Sequence, residues 1–171
     1  MGVSSRARSH PRVIRPPYAE LTRIDGGWRL TTGELPPSQN TLDREFWAAR
    51  KRRVDRLSLL FWSARNQASA HDAPPERAVV RVAVYYPTVR ARDWPNVVGG
   101  LKQHVDAMVR VGLLAADDAD HMHLDLATLA VDRERPRVEF EIAEWTGLQN
   151  GQNATQDGPG VEPDDRGGVS W

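Results

Sequence analysis

The chain has 171 residues, enough for one domain with a buried core plus tails, and it contains no cysteine, which excludes disulfides and thiolate metal sites. Its 23 Lys/Arg balance its 23 Asp/Glu, yet residues 1–112 hold 19 basic against 10 acidic side chains and residues 113–171 hold 4 against 13. That asymmetry fits either a basic part that meets a nucleic acid or basic surface helices followed by an acidic tail. No apolar run approaches the roughly 18 residues that cross a bilayer. The N-terminal MGVSSRARSHPR lacks the apolar stretch of a secretory signal. A soluble cytoplasmic protein with no membrane partner is the expectation.

In chain order, residues 1–24 read as a basic flexible arm and residues 25–146 as a single small α/β domain, a mixed β-sheet packed by two main helices. Residues 147–171 read as an acidic disordered tail, having Gly, Asn, Gln, Asp and Pro but few apolar residues. Ile24 to Glu34 is a strand candidate around Trp28 and Leu30, with Gly26-Gly27 as a turn. Pro36-Pro37 excludes helix and central strand. A long helix is predicted from Thr41 as its cap, with Phe46, Trp47, Val54, Leu57, Leu60, Phe61 and Ala64 as the buried stripe. The run Arg50-Lys51-Arg52-Arg53 on it is either a solvated face or a surface for a phosphate backbone.

Arg77 to Tyr86 alternates as a strand, with Ala78, Val80, Val82, Val84 and Tyr86 on one face. Asp93 and Pro95 open a second helix, since proline is favoured in a first turn. Leu101, Val105, Met108 and Val109 supply its stripe, and Gly112 its left-handed stop. His121 to Val131 and the alternating Val138, Phe140 and Ile142 give two more strands, with Asp132 to Pro136 between them as a hairpin loop.

Carboxylates thus gather at both ends of one short helix. A hard divalent cation binds through one or two carboxylates plus substrate phosphates, and two such ions hydrolyse phosphodiesters. Asp93, Asp117 and Asp118 are of that type, with Asp106 in reserve, Lys102 for the phosphate and Asn96 to orient a ligand. Equally, Asp93 is placed to be a helix cap and Asp117-Asp118 a polar turn. Trp94 is either a wedge between bases or a core contact. His121 and His123, with Asp118 or Asp120, are a further zinc-type combination.

The order Pro36-Pro37-Ser38-Gln39-Asn40, then Arg90-Ala91-Arg92-Asp93, Asn96, Lys102, Asp106-Ala107-Met108, Gly112 and Asp117-Asp118 resembles the RusA family of Holliday-junction resolvases. The resemblance spans about Leu35 to Trp145. It implies a RusA-like fold, a homodimer and Mg²⁺-dependent nicking of four-way DNA junctions, with Mn²⁺ as a substitute ion. By it, Asp93, Asn96, Lys102 and Asp118 are the catalytic set and Asp93, Asp117 and Asp118 hold metal; Arg90 and Arg92 beside that set, Lys51 and Arg52 of the basic helix and Trp94 are the residues expected to touch DNA. Pro95 stands where the family has a second Asp, and about three extra residues separate Asn96 from Lys102. The alternatives are a protein that binds branched DNA without cutting it and a small metal-dependent phosphohydrolase.

Overall fold

The computed structural model describes residues 17–90 and 92–146. The expected arm ahead of residue 17 and the tail beyond residue 146 lie outside them. Five strands, β1 (Ala19–Ile24), β2 (Gly27–Thr32), β3 (Ala78–Tyr86), β4 (Met122–Val131) and β5 (Arg137–Glu144), join in the spatial order β1-β2-β5-β3-β4. Neighbours are antiparallel except β3 and β4, which run parallel. Parallel neighbours need a crossover, and a helix, α3 (Trp94–Arg110), supplies it. With α1 (Gln39–Asp43) and α2 (Trp47–Gln67), this is a small α/β domain on a mixed five-stranded sheet.

One face of the sheet carries the core. Val80, Val82 and Val84 of β3 and Val138 and Phe140 of β5 are fully covered, packed in one cluster with Leu57 and Phe61 of α2 and Leu101, Val105 and Met108 of α3. These are the residues that a period of two on strands, and of three and four on helices, selects. The opposite face is polar and laced across its strands by ion pairs such as Arg29–Glu141 (2.6 Å) and Arg81–Asp125 (3.3 Å).

Four expectations change. Residues 19–24, assigned to the arm, are β1, the outer strand of a hairpin turned at Gly26, whose φ of 76° needs a glycine. The loop 132–136 is not a hairpin turn, because β3 lies between β4 and β5. It is held over the end of β3 by the Asp132 amide, which donates to the Tyr86 carbonyl (2.8 Å). The helix cap is Ser38 rather than Thr41, its hydroxyl accepting from the Thr41 amide at 3.3 Å. The long helix is broken at Arg44–Phe46, which leaves Phe46 85% and Trp47 74% exposed instead of buried.

Candidate functional site

The start of α3 is built as its sequence predicts. Asp93 is the N-cap, accepting from the Asn96 amide at 3.1 Å, and Pro95 sits in the first turn, where its missing donor costs nothing. At the other end Gly112 (φ 74°) closes a Schellman motif, with Leu113 N–H donating to Met108 O and Gly112 N–H to Val109 O. The chain then runs back along the helix, far enough for Asp117 to reach Lys102.

That return distributes the acidic residues among separate tasks. Lys102 pairs with both Asp106 and Asp117. Burial lowers its pKa, but the hydrogen bonds to the two carboxylates prevail, and the ammonium is held above its ordinary value. Asp118 is taken up in its own turn, where its carboxylate accepts from the Asp120 and His121 amides and meets His121 Nδ1 at 2.6 Å. The contact lowers the Asp118 pKa and raises that of His121. His123 instead packs edge-on against Trp145, at 5.4 Å between ring centroids. His121 precedes β4, so the two histidines do not share a strand face.

Among the described residues no three His, Cys, Asp or Glu side chains form a group able to hold a metal ion. Asp93 caps one end of α3, Asp117 is matched by a lysine and Asp118 by a histidine. Among the described residues Asp93, Asp117 and Asp118 are therefore not gathered into one three-carboxylate group, nor are the two histidines gathered with them.

What the structure does bring together is a cleft of about 400 Å³ between two sequence-distant segments. One wall is Pro36, Pro37, Ser38 and Asn40; the other is Tyr86, Arg90, Arg92, Asp93, Asn96 and Val97. The Arg92 guanidinium lies 3.5 Å from the centroid of the Tyr86 ring, a cation–π geometry. Its Nη1 donates to the carbonyls of Thr88 (3.4 Å) and Arg90 (3.1 Å), which fixes its plane. Burial raises the Tyr86 pKa, so its ring stays a neutral platform. Arg90 and Arg92 have no carboxylate partner among the described residues, whereas Arg53 is paired with Glu45 (2.7 Å) and Lys51 with Asp55 (3.0 Å).

The wall itself is anchored by a buried histidine. His104 Nε2 lies 2.7 Å from the Glu34 carbonyl oxygen, which only accepts, so Nε2 carries the proton. Arg53 adds a second tie, donating to Gln103 at 3.0 Å as well as to Glu45.

Of the residues expected at the site, Arg90, Arg92, Asp93 and Asn96 therefore meet in the cleft. Lys51 and Arg52 do not line it, and Trp94 remains 49% exposed beside it. Sequence reading treated Tyr86 only as a strand residue and did not single out His104. Their roles depend on segments that are remote in the chain.

No family model and no curated protein matches the chain. Among solved structures, the periplasmic domain of Helicobacter pylori MotB is similar at 14% identity, over 78% of this chain and 90% of that one, with a TM-score of 0.38. A second structure of a MotB periplasmic domain gives 10% identity over 83% and 82%, with a TM-score of 0.38. These neighbours are periplasmic domains and not junction resolvases. No family model supports the RusA assignment, so it is withdrawn, and with it the RusA-like fold and the endonuclease activity. The non-cutting and phosphohydrolase alternatives and the junction and homodimer partners fall with that assignment, and the cytoplasmic setting, read only from segments the sequence lacks, is withdrawn as well. A likeness at this level of identity and TM-score says nothing of what this chain itself binds or where it works. Among the described residues no helix is long and apolar enough to cross a membrane.

Proposed function

We propose that this chain is a binding protein whose ligand carries a phosphate group, held in the cleft between the Pro36-Pro37 wall and the wall of Arg90, Arg92 and Asn96. The observation that carries this reading is the pair Arg90 and Arg92, two cations on one wall without a carboxylate partner among the described residues. Arginine presents a planar fork of donors that suits phosphate oxygens, and Arg92 is already oriented by Tyr86 and two carbonyls. Asn40 and Asn96 line the same space, and side-chain amides of their kind are hydrogen-bond donors. Asp93 is the one carboxylate in the lining, and its Oδ1 is engaged by the Asn96 amide.

Isothermal titration of the protein with inorganic phosphate at low ionic strength tests this. Saturable one-site binding is expected, and Arg92→Gln should weaken it about tenfold, the usual scale of one hydrogen bond between charged groups. Absence of binding to the wild type overturns the proposal.

A further inference from the structure

Resting on that reading, we infer that the ligand is amphipathic: a soluble phosphomonoester whose apolar organic group lies across the end of β4. A second cavity, of about 270 Å³, shares Tyr86, Arg90 and Arg92 with the first and adds Leu129, Ala130 and Val131. The two arginines therefore stand between a polar cleft and an apolar one. Together the spaces are of the size that holds small organic ligands, roughly 300–1,000 Å³, and larger than a bare phosphate needs.

The apolar side is left open by the architecture. β4 is an edge strand, and its Leu124, Leu126 and Leu129 pack against the core cluster without being fully covered by it. In the parallel register Val80, Val82 and Val84 are fully buried, while their β4 partners Leu124, Leu126 and Leu129 are only half-buried. Val131 is 43% exposed, and Val89, in the loop before Arg90, is 78% exposed. An apolar shelf beside two unpaired cations is complementary to an anion with an apolar body. A purely polar phosphate would leave that shelf wet, and an uncharged apolar ligand would leave the arginines unmatched.

The test is a titration series with inorganic phosphate, butyl phosphate and hexyl phosphate below their aggregation limits, read by calorimetry and by backbone amide shifts. Each methylene buried on the shelf strengthens binding, so affinity should rise about tenfold from phosphate to butyl phosphate and further to hexyl phosphate. The Leu129–Val131 amides should shift with the alkyl phosphates and not with phosphate alone. Val131→Asn, at a position 43% exposed, should flatten the dependence on chain length. Equal affinity across the series overturns this inference and leaves the phosphate-binding reading standing. No binding by any member overturns both. Binding to vesicles of anionic phospholipid, with none to the soluble esters, assigns the shelf to a lipid surface and overturns the soluble ligand.

Discussion

His104 is enclosed by Phe61 and Phe140, with ring centroids 6.4 and 5.6 Å away. Burial, with the nearby Arg53 charge, lowers its pKa to about 4, against the stabilising hydrogen bond to Glu34. Its Nδ1 is buried without a partner, which is tolerable for a lone pair and far worse for a proton. Because the folded pKa lies below the ordinary 6.5, stability from the neutral ring is complete above pH 6.5 and is lost as pH falls through about 4. The difference amounts to on the order of 3 kcal/mol. The exposed His121–Asp118 pair has the opposite sense on its histidine side: its stability is present below the ordinary histidine pKa and is lost as pH rises through the raised one. Urea unfolding at pH 7 and pH 4 should therefore show a larger loss for the wild type than for His104→Leu. Equal losses would clear His104 of the role. Sequence spacing places His104 within the stripe of Leu101, Val105 and Met108, but spacing does not say whether a histidine there is enclosed. That depends on Phe61 and Phe140, 43 and 36 residues away in the chain.

Elements carrying their own signals were legible, and those depending on distant partners were not. The alternation of β3 and β5, the Asp93 cap and the Gly112 stop are local, and they appear where they were expected. The break between α1 and α2 was not foreseen, because the sequence from Thr41 onward continues to favour helix. Arg53 holds the broken corner through Glu45, and the Arg50 guanidinium reaches the Leu42 carbonyl. The cleft's Pro36-Pro37 wall has a similar long-range cause at Gly100. A Cβ there would press deep into the Pro37 carbonyl oxygen and come within 3.1 Å of Pro36 Cβ. In an ordinary helix interior glycine to alanine gains about 1 kcal/mol. Gly100→Ala should instead cost about 1–3 kcal/mol by overpacking, and it should weaken phosphate binding by moving the wall away from Arg90 and Arg92. Denaturant midpoints and the phosphate titration measure the two effects. A variant as stable as the wild type would show that α3 and the proline wall do not meet this closely.

Across the molecule, three pairs match the basic half of the chain to the acidic half, so part of the charge asymmetry that looked like a nucleic-acid footprint is balanced within the fold. Basic residues of the first 112 pair with acidic residues of the rest: Arg29 with Glu141, Arg81 with Asp125, and Lys102 with Asp117. Sequence order hides this because β5, from the acidic half, inserts between β2 and β3 of the basic half. Charge counts along a chain cannot reveal which strands become neighbours. The consequence is measurable at the Arg29–Glu141 pair, which lies directly across the β2–β5 ladder. Two nitrogens of Arg29 reach Glu141 Oε1, at 3.2 and 2.6 Å, and the hydrogen bond raises the Arg29 pKa against the opposing effect of burial. The side chains are nevertheless 43% and 34% exposed, so solvent screens their attraction. A double-mutant cycle of Arg29→Met and Glu141→Gln should yield a coupling of about 0.3–1 kcal/mol, the range of exposed and cross-strand pairs. Raising the salt from 0.05 to 1 M should shrink it, since the screening length falls from over 10 Å to about 3 Å. A coupling of several kcal/mol, unchanged by salt, would mean that this sheet face is covered in solution, and the polar face would then have to be treated as an interface. A small, salt-sensitive coupling places the pair in water, where it matches the two halves of the chain in charge while packing on the other face holds them together.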